Sequence, residues 1–320
     1  MNKWFLFSKK MNYHQLFFYL TDYNLFMSHN KAVAIILLGG SFMSLVGIVM
    51  RLMETDDGMI ILFYRSISLS AMVMTVGCLR RRENPIRFLG KLDKTDMAMG
   101  AALSIAFTTY VYAMLMTSVA STLFLLTTTP FMAAVIGWIW INEKPHPFTW
   151  IAMIAALIGV GLMISDGLDL GRTQGNIVAL LSAFFFAVML VLARRSQKDD
   201  VLGGTFLGGI MALSLAGISA IGFGNGLGIS GSDLMLALFM GAFTIGIGIA
   251  LVTWGAPYVP AAEVSLLVLI ESVLGPLWPW LFLGEKMSML EIIGGITIMT
   301  AVAGLALLGM EKSKRCLNHN

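Results

Sequence analysis

From Ala32 onward the chain is a series of apolar runs separated by short polar breaks. Each run is close to the ~20 residues a helix needs to cross a bilayer. Ten are legible, roughly 32–50, 59–78, 97–116, 119–141, 148–165, 175–193, 202–223, 234–254, 260–283 and 290–309. The breaks read RLMETDDG, LRRRENPIRFLGKLDKTD, NEKPHP, DGLDLGRTQG, RRSQKDD, GNGLGISGSD and GEKMSM. Several links are only a few residues long. The third and fourth spans, and the eighth and ninth, are therefore expected to form antiparallel hairpins.

Composition supports that pattern. Of 320 residues 58% are hydrophobic and 12% charged, with a mean hydropathy of +0.83. A soluble domain carries about 25% charged residues, so this is the composition of a polytopic membrane protein. The 24 methionines and 33 glycines fit closely packed, adaptable helices, and the methionines are too scattered for a metal pathway. Cys78 and Cys316 make neither a disulfide framework nor a metal-ligand spacing.

Charge sets an expected orientation. With the N-terminus placed in the cytoplasm, inside segments hold 17 Lys and Arg residues, and outside segments hold only Arg51, Arg172 and Lys286. That bias follows the positive-inside rule and favours an even number of spans with both termini inside. It also accounts for the basic loop 80–94 without a nucleic-acid partner. Residues 1–31 read as a cytoplasmic extension with no signal-peptide pattern. Either part of it is an interfacial helix, or translation starts at Met27 and residues 1–26 are not made.

The chain contains a repeat. At a shift of 142 residues NEKPHP falls on GEKMSM, and the flanking segments align without a gap. Both copies carry a mid-span proline (Pro130, Pro276), tryptophans, a Glu-Lys pair (Glu143-Lys144, Glu285-Lys286) and a Gly-rich last span. The first and sixth spans end alike, at Arg51 and Arg194. The chain is thus two five-span units, residues 32–165 and 175–309, with a tail at 310–320. An odd number of spans inverts the second copy. Inverted repeats are characteristic of secondary transporters, whose substrate sites lie between the halves near the midplane. The expected fold is all-α, with ten transmembrane helices as two inverted five-helix repeats.

This arrangement resembles the drug/metabolite transporter superfamily, in particular the EamA-type permeases. The resemblance rests on Tyr64-Arg65, on TSVASTLFLLTTTPFMAAVIGWIWINEK, on VPAAEVSLLVLIESVLGPLWPWLFLGEK and on the Gly-rich helix after it. It implies a multi-pass carrier of the bacterial inner membrane, often an exporter of metabolites or amino acids, with no bound cofactor. One feature departs from the pattern. Many members have proline directly after the acid equivalent to Glu271; here Ser272 follows, and the bend is expected a turn later, at Pro276.

Charged residues inside spans are costly and mark candidate sites. Glu263 and Glu271 lie ~12 Å apart along one helix and about 80° apart in rotation. Their counterparts in the first copy are the neutral Ser121 and Thr129. An acid there can carry a proton, attract a cationic group, cap a helix, or pair with Arg65. Arg65, about seven residues into the second span, reads either as a carboxylate anchor or as half of an interhelical ion pair. Among aromatics, Tyr64, Tyr110, Tyr112, Trp254 and Trp278 are candidates for the pathway wall. Trp138, Trp140 and Trp280 fit the interfacial belt.

All four histidines lie outside the spans and there is no P-loop, which argues against an enzyme and an ATP-driven pump. The reading is a secondary transporter of a small amino-acid-like, cationic or zwitterionic metabolite. Its site is expected between the third, fourth, eighth and ninth spans. A passive channel, a receptor-like protein and an integral-membrane enzyme are the rivals. The Gly-rich faces suit intrachain packing or a homodimer equally.

Overall fold

In a computed structural model the chain is described over residues 29–318, apart from 143, 145–146, 170, 197–200, 224–225, 260–263 and 265–266. The described secondary structure is helical. The spans are α1 (His29–Leu52), α2 (Gly58–Arg81), α3 (Lys94–Met116), α4 (Val119–Ile141), α5 (Pro147–Asp169), α6 (Thr173–Ser196), α7 (Leu202–Phe223), α8 (Gly231–Gly255), α9 (Ile270–Leu283) and α10 (Met289–Asn318). The first eight are long and apolar enough to cross a membrane; Ile270–Leu283 and Met289–Gly304 are shorter apolar helices. A short helix, Pro85–Gly90, folds under the α2–α3 connection and buries Phe88 beside Gly77 and Phe206.

Local chemistry punctuates these helices. Asp57 accepts from the Met59 and Ile60 amides at the start of α2. Asp93 and Asp96 form a capping box on α3, and Ser118 and Ser230 accept from the third amide of α4 and α8. Such caps satisfy amides that have no partner within the helix. At the other end, α4 stops at Asn142 (φ 58°) and α9 at Gly284 (φ 68°), both left-handed. These are equivalent positions of the two copies, and only a residue tolerant of positive φ fits there.

The packing obeys the same internal relation. The principal pairs are α3–α6, α3–α7, α4–α6, α2–α7, α4–α9, α5–α10, α1–α8, α2–α8 and α1–α9. Exchanging each helix with the one five places on turns α3–α6 into α8–α1, α3–α7 into α8–α2, and α4–α6 into α9–α1. It returns α2–α7, α4–α9 and α5–α10 to themselves. The repeat read from sequence is therefore a repeat in space. Because each unit has five spans, the second is inverted.

Without a hydrophobic effect between helices in lipid, close backbone approach carries the association. Between α5 and α10, a Cβ on Gly159 would lie 2.7 Å from the Gly294 carbonyl oxygen, and one on Gly294 would lie 2.7 Å from the Gly159 carbonyl oxygen. Both positions require glycine.

Two spans break at equivalent places. The fourth turns at Thr127–Thr128 before continuing at Thr129, and the ninth turns at Leu269 before Ile270. Pro130 lies in the first turn of the resumed helix, where its missing N–H is tolerated. Pro276 lies seven residues past the turn at Leu269, inside α9 with Pro279. The ninth span thus turns before the acid Glu271, not after it. The eighth span is irregular as well, with residues Met240–Ile247 wound as a π-helix.

Candidate functional site

Arg65 is a fully buried charged side chain of α2. Its side chain has no solvent exposure and lies where α2, α3 and α8 meet. The guanidinium carbon stands 5.4 Å from the Phe107 ring centre and 5.8 Å from that of Tyr110. One nitrogen donates a long bond, 3.5 Å, to the Phe107 carbonyl. Nε and NH1 have no partner. Among the described residues Arg65 makes no ion pair, so it does not tie two helices together by charge. A buried donor left unpaired costs free energy, and a charged one costs more.

The π-helical turn of α8 is set against the backbone of Arg65. A Cβ on Gly241 would lie 2.0 Å from the Arg65 carbonyl oxygen, so only glycine fits at this crossing. Such windings occur disproportionately at functional sites.

Glu271 enters from the other half. It sits in the first turn of α9, partly buried, and makes no hydrogen bond or ion pair among the described residues. Its carboxylate and the Arg65 guanidinium both lie within electrostatic reach of Tyr110. Arg65 and Glu271 thus place a cation and an anion on helices from opposite repeats, neither in an ion pair among the described residues.

A second polar cluster occupies the end of the bundle that carries Arg51, named the outer end here after the distribution of basic residues. Arg51, closing α1, grips Glu285 through Nε–Oε2 at 3.0 Å and NH2–Oε1 at 3.3 Å. It also donates to the Met114 carbonyl at 2.8 Å and the Thr117 carbonyl at 2.7 Å. Glu285 accepts from the Val119 amide at 3.0 Å. Beside it Glu291, 1% exposed, accepts from the Ser118 and Ser121 hydroxyls at 2.5 and 2.6 Å and from the Ser288 amide at 2.9 Å, with Arg172 at 3.6 Å. This network joins the ends of α1 and α3 and the start of α4 to the α9–α10 link, across the two repeats.

The residues singled out from sequence divide accordingly. Arg65, Tyr110 and Glu271 converge. Glu263 lies outside the described residues. Ser121 belongs to the outer cluster, where its hydroxyl is committed to Glu291. Thr129 is buried at the resumed start of α4 and donates to the Leu126 carbonyl at 2.6 Å. Tyr64 points away from its neighbour Arg65 and donates to the Leu227 carbonyl at 2.8 Å. The Tyr112 ring packs on Gly58 at the start of α2. Trp278 donates to Ser44 Oγ at 2.9 Å, holding α9 against α1. Trp254 is 53% exposed, so it does not line an interior wall.

Glu285, Glu291 and Arg51 were not singled out. Ser288 and Glu291 carry the spacing of a capping box, so a helix start was legible there. That Glu291 is also the buried acceptor for two serines 170 or more residues away was not. A groove of about 570 Å³ between α2 and α7 is a poor rival site. Phe63, Leu213, Ile218 and Ile221 line it, Ile218 and Ile221 being more than two-thirds exposed, and its one hydroxyl is that of Ser214.

Comparison with known proteins fits this architecture. The model of the EamA-like transporter family matches twice, over residues 30–165 and 173–307. An uncharacterized transporter of Archaeoglobus fulgidus is 25% identical over 218 residues, 68% of this chain and 78% of that protein. An uncharacterized transporter of Bacillus subtilis is 23% identical over 205 residues, 61% of this chain and 65% of that one. A crystal structure at 16% identity superposes with a TM-score of 0.62, covering 88% of this chain and 98% of the other, which speaks for the fold alone.

Proposed function

Given that the chain belongs to the EamA-like transporter family, we propose that it carries a small amino-acid-like, cationic or zwitterionic metabolite across the bacterial inner membrane by alternating access. The observation that carries this is the presence of Arg65 and Glu271 in the apolar bundle, contributed by opposite repeats and neither making an ion pair among the described residues. Charges are kept at that depth where they serve a pathway or a relay. Inverted repeats that meet around such a site can rock about it and expose it to each side in turn.

The outer cluster fits one half of that cycle. In this reading Arg51, Glu285, Glu291 and Arg172 hold the outer end closed, and transport requires them to part. Glu271 serves either as the proton carrier of an exchanger or as the attractor of a cationic group in facilitated export. Both termini lie in the cytoplasm, as the basic residues predict.

The test is counterflow in proteoliposomes preloaded with amino acids, nucleosides or polyamines. Saturable uptake accelerated by internal substrate supports a carrier. Uptake that rises linearly with concentration and shows no counterflow points to a channel and overturns the reading. Product formation by the purified protein would favour an enzyme.

A further inference from the structure

We infer that the α2–α3 connection is a docking site for an acidic phospholipid of the cytoplasmic leaflet. Its arginines receive the lipid phosphate, and the short helix Pro85–Gly90 lays an apolar face into the acyl boundary. This goes beyond the transport reading and uses only the orientation given there.

The short helix has three faces. At 3.6 residues per turn Ile86 and Leu89 lie ~60° apart, Arg87 lies ~160° from Leu89, and Phe88 ~100° from both Arg87 and Leu89. Phe88 packs inward. It has no exposure, meets the Phe206 ring edge-on at 5.7 Å, and would lie 2.7 Å from a Cβ on Gly77. Gly77 is four residues before Arg81, so the ring reaches ~6 Å inward of Arg81 along α2. Ile86 and Leu89 stay 82% and 46% exposed, at the end of the bundle where Leu79 of α2 and Met97 of α3 are 73% and 54% exposed. An apolar face at that depth with a cation on its flank suits a helix lying in the interface, sunk ~5–10 Å into the headgroup and acyl boundary.

Charge decides which lipid fits. Residues 79–94 hold six Lys and Arg against Glu83 and Asp93. Lys91 pairs with Glu83, and Asp93 accepts from the Asp96 amide in the capping box of α3. Arg81 stacks on Phe88, its guanidinium carbon 5.5 Å from the ring centre. Arg80, Arg82 and Arg87 are exposed and make no ion pair among the described residues, Arg80 donating to the Thr253 carbonyl at 3.3 Å. The equivalent link of the second repeat, residues 224–230, is shorter and has no Lys or Arg. Orientation calls for basic residues at the inner end, but not for a helix that buries one aromatic and exposes two aliphatic side chains beside them. A guanidinium fork suits a phosphate. A headgroup with no ammonium of its own leaves that phosphate to the arginines, so phosphatidylglycerol matches the site and phosphatidylcholine does not. Basic clusters at the inner face of a span are drawn to acidic lipid in this way.

The experiment places a fluorophore at Ile86→Cys in the full chain, with Cys78→Ser and Cys316→Ser, reconstituted in phosphatidylcholine vesicles. Brominated phosphatidylglycerol, added as a minor component, should quench at least about fivefold more than the same amount of brominated phosphatidylcholine, the scale set by attraction of a basic residue to acidic lipid. The preference should vanish in the combined Arg80→Gln, Arg82→Gln and Arg87→Gln variant and shrink as salt is raised. A fluorophore at Leu52→Cys, at the outer end, should show no preference. Should the combined variant misfold, the salt series with all arginines in place and the single Arg87→Gln read the same attraction. Equal quenching by the two lipids, or a preference that survives in the folded combined variant, overturns the proposal. So does displacement by glycerol phosphate, which would make this a site for free phosphate. Quenching by aqueous iodide and not by lipid would overturn it too, and would point to a soluble acidic partner.

Discussion

Arg51 and Glu285 are 234 residues apart in the chain and meet through two hydrogen bonds, at 3.0 and 3.3 Å. They come from different places in their repeats: Arg51 from the end of a first span, and Glu285 from the link before a last one. Their meeting joins the two repeats at the outer end. Bidentate geometry and the carbonyls of Met114 and Thr117 distinguish this pair from an ordinary surface salt bridge, which contributes little.

Glu285→Gln should therefore loosen the outer end. Labelling of a cysteine introduced at Ser44 by an impermeant thiol reagent from the outside should quicken about threefold to tenfold, the range for a partly exposed charged bond worth ~1 kcal/mol. The exchanged pair Arg51→Glu with Glu285→Arg should not restore the wild-type rate, since Arg51 also holds two carbonyls of the neighbouring hairpin. Full restoration would reduce the contact to simple charge pairing.

Glu291 makes a different prediction, on stability. Glu291→Ala leaves the Ser118 and Ser121 hydroxyls and the Ser288 amide facing a buried void. The loss should be ~3–5 kcal/mol, as for breaking a buried charged network from one side, and should appear as a lowered unfolding temperature in detergent. Glu291→Gln, which keeps an acceptor oxygen, should lose less. An unshifted melt for the alanine variant would contradict the network.

Glycine at the α2–α8 crossing can be tested on its own. Gly241→Ala drives a methyl into the Arg65 carbonyl and should cost ~1–3 kcal/mol by overpacking. Gly161→Ala, in a helix with nothing within 4 Å of the added carbon, should be neutral or stabilising by up to ~1 kcal/mol. The contrast is read in paired thermal melts. Equal melts would mean the helices part freely at Gly241.

In the proposed cycle Glu271 carries the proton or holds the cationic group. Glu271→Gln should abolish or uncouple transport while expression and folding stay intact. Proteoliposome flux across a pH series checks it. A variant with wild-type rate and pH profile would remove Glu271 from the pathway.

Much of this architecture is local and so was legible in the chain. Span length, the polar breaks and the shift of 142 depend only on residues near one another, or on the chain compared with itself. The left-handed caps at Asn142 and Gly284 follow from the same register. The position of the bend was not legible. Proline is a strong local signal, and Pro276 drew the expectation, but the ninth span turns at Leu269, the equivalent of the turn at Thr127. The two turns occupy equivalent positions of helices that pack against each other.

The acids show the same division. Glu271 and Glu263 stand out in the sequence because they lie inside apolar runs, whereas Glu285 lies in the link GEKMSM and Glu291 at the very start of the last run. Which carboxylate is neutralised depends on what packs against it from 166 and 170 residues away, and no local pattern encodes that. The sequence by itself determined the ten spans, their inverted pairing and an arginine and a glutamate buried in lipid-like surroundings, because hydropathy and repetition are properties of the linear chain. Only the tertiary structure decided that Glu285 and Glu291 are satisfied at the outer end while Arg65 and Glu271 make no ion pair among the described residues, because pairing is a property of distance.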